Sequence, residues 1–193
     1  MSDLDSVRDV SLEGQKLTFR PMVKGDGDAV LAFAKQLPPH DLLFLVRDIT
    51  NPKVVSAWIE ATEEGDISTL LAMKGDVVIG CAAVITDPLS WSQHVGEVRV
   101  LVSEDMRGIG LGRELIQEIF KIALARNLSK LMARMTTDQK GAIAIFEELG
   151  FRGEALLKDH VSDQAGVHHD LVILSCDPVR AANLFSAFSE AQS

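Results

Sequence analysis

A single mixed α/β domain is what this chain is expected to form, and three observations point there. Strand-like and helix-like stretches alternate over most of the 193 residues, the pattern that layers helices on a sheet. Within Glu97–Leu124 a strand, a glycine-rich turn and an amphipathic helix follow one another directly. The composition, with 47% hydrophobic and 24% charged residues, is that of a globular chain long enough for one substantial core.

The elements are expected in the following order. Residues 1–14 are polar and read as a flexible lead-in, ahead of a main domain over 15–177 and a tail over 178–193. Leu17–Pro21 begins the first strand, with Pro21 placing it near a sheet edge. Asp26 or Asp28 caps a helix carrying Ala29, Val30, Phe33, Ala34 and Leu37, which ends at Pro38-Pro39. His40–Arg47 is apolar between charges and reads as either a short helix or a packed loop. Asn51-Pro52 starts a second helix, because proline suits the first helical position; Gly65 follows its end. Ser68–Met73 and Val77–Ile85 form a hairpin around Lys74-Gly75-Asp76. A polar loop, Leu89–Gln93, leads to a strand at Val95–Val102. After the long helix come a strand at Lys130–Met135 and a helix capped by Asp138 and ended by Gly150. Phe151–Val161 and Val167–Cys176 make a last strand pair. In the tail, Val179, Ala182, Phe185 and Phe188 recur at helical spacing.

The glycine-rich turn carries the functional reading. Val98, Val100 and Val102 alternate with Glu97, Arg99 and Leu101, a strand period. Gly108, Gly110 and Gly112 then fall at every second position, and Leu115, Ile116, Ile119, Phe120, Ala123 and Leu124 form a helical stripe. The first turn of a helix has amide groups without internal partners, and its dipole adds positive potential. Glycines let the backbone approach an anion closely, and Arg107 and Arg113 are placed to add charged hydrogen bonds. The stretch therefore suits a phosphate or diphosphate. A P-loop is excluded because no Gly-Lys-Ser/Thr follows. A dinucleotide fingerprint fails because Arg113 stands at the third glycine and no acid lies near Leu128.

Arg107-Gly108-Ile109-Gly110-Leu111-Gly112, after a strand ending near Val102, does fit Arg/Gln-x-x-Gly-x-Gly/Ala. In this it resembles the acetyl-CoA-binding motif of the GCN5-related N-acetyltransferases (GNAT). A second segment, Ala142 to Phe151, resembles the family's A-x-x-x-Y-E-x-x-G-F, with Phe146 at the tyrosine position and Gln139 where an asparagine is frequent. The resemblance implies one twisted sheet of about seven strands with helices on both faces, and acetyl-CoA as co-substrate. It implies cofactor contacts from Val100, Leu101, Val102, Arg107 to Arg113, Gln139 and Phe146, with Ile109 and Leu111 inside the turn. Near Leu101 and Val102 the strand is expected to splay from its neighbour, leaving backbone groups for the thioester and pantetheine. The implied reaction is direct transfer of the acetyl group to a primary amine.

The chain contains no tyrosine, so none can protonate the leaving CoA thiolate. A thiol with an ordinary pKa of about 8.5 leaves tolerably without that help. Glu97 is the candidate general base, since several relatives use a glutamate on this strand through a water; an inert Glu97–Arg99 ion pair is its competitor. Asp159 and His160, on the final hairpin, are the candidate substrate contacts. No metal is expected, because the His and Asp residues lack a fixed ligand spacing. A CoA-binding module without catalysis is the main alternative, and a nucleotide-binding domain the third.

The net charge of −9 argues against a nucleic-acid partner. No apolar run is long enough to span a membrane, and residues 1–10 lack a signal-peptide pattern. A cytoplasmic location and a homodimer are the default expectations. Cys81 and Cys176 sit in apolar runs and read as buried free thiols.

Overall fold

The computed structural model describes residues 7–183. Its strands are β1 (Arg8–Leu12), β2 (Gln15–Pro21), β3 (Ile67–Lys74), β4 (Val77–Ile85), β5 (Val95–Val102), β6 (Lys130–Thr136), β7 (Arg152–Ser162) and β8 (His168–Cys176). Its main helices are α1 (Gly27–Gln36), α2 (Pro52–Glu64), α3 (Leu111–Ala125) and α4 (Lys140–Glu148). The strands form one sheet in the order β1-β2-β3-β4-β5-β6-β8-β7. Only the β5–β6 pairing is parallel; the others are antiparallel.

Each face of the sheet has its own core. On one face α3 lays Leu115, Ile116, Ile119 and Phe120 against Leu17, Phe19, Val84, Val98 and Leu131, with Phe146 of α4 joining them. On the other face α1 and α2 bring Val30, Phe33, Val55 and Ile59 against Leu71, Cys81 and Leu101. β5 serves both faces, as its period of two requires: Val98 belongs to the α3 core and Leu101 to the α1–α2 core. Burial pushes the thiol of Cys81 up to about 12, and both cysteines are free.

Four expectations change. The sheet has eight strands rather than seven, because residues 8–12 pair with β2 instead of trailing loosely. Val10 and Leu12 pack on the α3 core, and Arg8 reaches Glu118 of α3 at 2.6 Å. The turn joining β1 to β2 is Glu13-Gly14, both at positive φ (46° and 78°), the geometry that suits a two-residue hairpin. Pro21 ends an interior strand, not an edge strand, since β2 lies between β1 and β3. Asp26 stands at the start of α1 without a side-chain capping bond. Its carboxylate instead takes both Arg20 Nη atoms at 2.7 Å and the Val23 amide at 2.8 Å. Gln139, not Asp138, occupies the cap position of α4. In the tail, residues 178–183 are helical; Phe185 and Phe188 lie outside the described residues.

Candidate active site

The site begins where two parallel strands part. β5 and β6 pair from Val95↔Lys130 to Val98↔Ala133 and no further. Both strands continue, to Val102 and Thr136. β5 stays bonded to β4 as far as Val102↔Gly80, and β6 to β8 as far as Thr136↔Leu171. Each strand follows its outer neighbour, so a wedge opens between them. Over residues 99–102, the backbone groups of β5 that point toward β6 have no ladder partner there, although such groups require one.

The glycine turn closes the wide end of this wedge. Gly108 and Gly110 have φ of 81° and 87°, values that strain any residue with a Cβ. A Cβ at either position would meet nothing within 4 Å, so glycine is needed there for backbone shape and open approach, not for packing. Ile109 is partly buried on the α3 core and Leu111 is buried. These two side chains pin the turn inward while Gly108 and Gly110, next to them, border open space. Gly110 stands at the cap of α3 without a side chain to cap it, and the Glu114 amide is the first to bond back to it, at 3.1 Å. The amides of Leu111, Gly112 and Arg113 precede that bond and lack intrahelical acceptors. The two arginines are engaged with carboxylates: Arg107 with Asp41 and Arg113 with Glu148.

Across the wedge, the Gln139 side-chain oxygen accepts from the Thr136 amide at 3.2 Å. It thereby braces the end of β6. Phe146 is buried and packs edge-on against Phe151, ring centroids 4.9 Å apart. The short 3-10 turn Pro39–Leu42 settles the ambiguous stretch at His40–Arg47. Its neighbours His40 and Asp41 reach opposite walls: Asp41 pairs with Arg107 beyond β5, and His40 lies 2.7 Å from Asp138 beyond β6. His40 also stacks edge-on with His169 at 5.0 Å, and ligand atoms of His40, Asp138 and His169 lie within 4.8 Å of one another. Sequence spacing gave no sign of this cluster, because its members come from three separate elements.

Glu97, Arg99 and Leu101 project from the opposite side of β5 to Val98. Both Glu97 oxygens are taken, by Arg99 Nε at 2.9 Å and Arg134 Nη2 at 3.0 Å. Beside them a cavity of about 320 Å³ lies between α2 and the sheet. Its floor includes Ala83, Arg99 and Leu101, its wall Val54, Ala57 and Trp58, and its lip Leu45, Val46 and Arg47. Trp58 is held by donating Nε1–H to Thr69 at 2.9 Å. Asp159 and His160 stand elsewhere, exposed on the outer strand β7. There the pairing with β8 is irregular between Leu157 and Val161, and Asp159 has φ of 50°.

The Acetyltransferase (GNAT) family model matches residues 37–151 of this chain. An IAA acetyltransferase of Azospirillum brasilense is 32% identical over 94 residues, which cover 48% of this chain and 60% of that relative. The chain thus spans less than two thirds of that relative's length. Among solved structures, an N-acetyltransferase of Staphylococcus aureus Mu50 superposes with a TM-score of 0.74 at 18% identity, covering 84% of this chain and 98% of that one. YncA of Salmonella typhimurium, solved with its cofactor acetyl-CoA, superposes with a TM-score of 0.71 at 20% identity over 84% of this chain and 94% of that one. Those likenesses establish a shared fold, and the family match covers more than half the sequence, including the parted strands and the glycine turn. The chain belongs to the GNAT family of acetyltransferases.

Proposed function

We propose that the protein transfers the acetyl group of acetyl-CoA directly to a primary amine. The observation that carries this reading is the wedge between β5 and β6, which opens onto a glycine turn with open space at Gly108 and Gly110 and first-turn helix amides that lack intrahelical acceptors. In the proposal the amides of residues 108–113 hold the diphosphate, with Arg107 and Arg113 released from Asp41 and Glu148 to assist. Wedge-facing backbone groups of Val100 and Val102, on either side of Leu101, receive the pantetheine arm and the thioester, with Arg107 leaving the Val102 carbonyl on which it rests at 3.5 Å, and an amide there stabilises the tetrahedral oxyanion. The amine forms the new C–N bond, the C–S bond breaks, CoA leaves as thiolate, and the amine's proton passes to water. Direct transfer is favoured over an acetyl-cysteine intermediate because burial holds the Cys81 thiol protonated.

Glu97 is the candidate base, but its oxygens already serve two guanidiniums. We therefore assign it first to positioning Arg99 and Arg134. Glu97→Gln separates the roles. A base would lose kcat and the rising limb of the pH profile, whereas a positioning residue would raise KM and keep the profile. Gln139 orders the end of β6, and Phe146 supports the turn after α4 by packing. Asp159 and His160 remain candidates for contact with a larger acceptor.

The direct test pairs calorimetry with acetyl-CoA and thiol release over a panel of amines. Affinity plus amine-dependent release is the expected result; no affinity in the folded protein overturns the reading. A second reading, a CoA-binding module without catalysis, is favoured by the missing tyrosine and by the burial of Phe146. It predicts affinity without release. We further propose a cytoplasmic homodimer that needs neither nucleic acid nor membrane. Among the described residues no helix is long and apolar enough to cross a bilayer. Light scattering after gel filtration checks the dimer.

A further inference from the structure

We propose that the acceptor amine also carries a carboxylate on a small apolar skeleton, and that arginines beside the α2 cavity bind that carboxylate. This inference rests on the acetyl-transfer reading above and gives it a substrate class. The argument begins with charge. The whole chain is acidic, at −9, and an acidic protein would by itself favour polycationic acceptors. The cavity departs from that average. Its charged lining residues are Arg47 and Arg99, with no carboxylate among them.

The neighbouring ion pairs do not neutralise this charge. Glu97 is shared by Arg99 and Arg134, so one carboxylate faces two guanidiniums and one positive charge remains. Arg134 Nε is buried and has no hydrogen-bond partner among the described residues. A buried donor left in that state is unfavourable unless something else accepts from it. Arg47, exposed at the cavity lip, makes no ion pair or side-chain hydrogen bond among the described residues. Two guanidiniums, Arg47 and Arg99, therefore line the cavity, with Arg134 behind Arg99 on the shared Glu97, and a planar carboxylate suits such forked donors.

The geometry links this anion site to the reaction. Arg99 and Leu101 belong both to the cavity floor and to the stretch of β5 beyond its last pairing with β6. An acceptor whose carboxylate sits among the arginines thus has its amine directed toward the wedge. The remaining walls, from Val54, Ala57, Trp58 and Leu45, are mostly apolar. A volume of about 320 Å³ lies at the small end of ligand pockets, matching an apolar amino acid better than a peptide or a polyamine.

The test uses the full chain with acetyl-CoA and matched acceptors: leucine, methionine and phenylalanine, their methyl esters, their decarboxylated amines, and spermidine. Calorimetry with acetyl-CoA comes first. Thiol release should then favour the acids by at least 30-fold in kcat/KM over esters and decarboxylated amines, mainly through KM. Arg47→Ala and Arg99→Gln, each confirmed folded by circular dichroism, should narrow that preference to under about 5-fold. Arg99→Lys, which retains charge without the fork, should fall between. Equal or better turnover of the neutral amines or spermidine overturns the inference and leaves acetyl transfer standing. So does an acid preference that both arginine variants retain, or acetyl-CoA binding with no turnover of any acid. Absence of acetyl-CoA affinity removes the underlying reading and this inference with it.

Discussion

The two sides of β5 solve binding in different ways. Toward α3 the site is made of backbone: glycine amides, the uncapped start of a helix, and strand groups left unpaired by the wedge. Toward α2 it is made of side chains: three arginines, one glutamate, and an apolar wall brought in from separate segments. Backbone amides recognise a diphosphate whatever is attached to it, so that half suits a constant cofactor. Side chains change by single substitutions without disturbing the sheet, so that half suits a particular acceptor. The contrast teaches that cofactor and acceptor specificity are separable here, and substitutions on the two sides should fail differently.

The largest effect is expected at Gly110. Gly110→Val places a β-branched residue at φ of 87° and puts side-chain atoms where the diphosphate would approach. Acetyl-CoA affinity should fall at least about 100-fold, roughly 3 kcal/mol, by calorimetry. Since the added Cβ meets no protein atom within 4 Å, the fold should survive with a loss of about 1–2 kcal/mol from backbone strain. A folded variant with normal affinity would break the cofactor half of the comparison.

Next are two tests of stability, one on each face. On the α1–α2 side, the Asp26 carboxyl is held below the usual carboxylate range, chiefly by its hydrogen bonds to Arg20 and also by the Val23 amide. A lowered folded pKa stabilises the fold above the ordinary carboxylate pKa, about 3.9, and that contribution is lost as pH falls through the folded value. Asp26→Asn should destabilise by about 1–3 kcal/mol near pH 7 in urea melts, nearer the lower figure because a quarter of the Arg20 side chain is exposed. The difference between variant and parent should shrink below about pH 4; a constant difference would remove the ionic explanation. On the α3 side, Gly96→Ala would set a Cβ 2.8 Å from both Leu128 Cδ1 and Val84 Cγ1. Overpacking of this kind should lower stability by about 1–3 kcal/mol, read as a lower urea midpoint. A variant as stable as the parent would mean that this core is looser than its contacts indicate.

The smallest effects are expected where the two halves touch, at the Arg107–Asp41 pair. Exposed ion pairs contribute about 0.2–1 kcal/mol, so neither substitution should change stability by more than about 0.5 kcal/mol. Their effects on acetyl-CoA affinity should have opposite signs. Arg107→Ala removes a cation and weakens binding up to about 10-fold, the usual scale for one charged hydrogen bond. Asp41→Ala frees that cation and tightens binding by about 2–5-fold. Equal losses from both would mean that the pair acts only as a brace for the 3-10 turn.

Legibility in the sequence follows the same division. The β5–turn–α3 unit is contiguous, so alternation, glycine spacing and the helical stripe disclosed it directly. The Glu97–Arg99 pair was legible too, because alternate strand residues share a face. Arg134 was not, since it arrives from a strand 37 positions further on. β1 was missed although Val10 and Leu12 alternate with Asp9 and Ser11: five residues are a weak signal, and the strand's partners on β2 and α3 were unknown. Its turn, Glu13-Gly14, held the available clue. The cavity beside α2 has no local signature, because its floor and walls lie on segments that alternate in sequence with other elements.

From its order of residues alone, the chain determined the alternation of strands and helices, the glycine turn and the apolar faces, because each follows from spacing within a few residues. The three-dimensional packing decided the rest. It set where β5 and β6 stop pairing, placed His40 and Asp41 against opposite walls, gathered Arg99 and Arg134 around one glutamate, and brought Arg47 to the same cavity as Arg99. Those arrangements depend on which distant segments meet across the sheet, and local periodicity carries no record of that meeting.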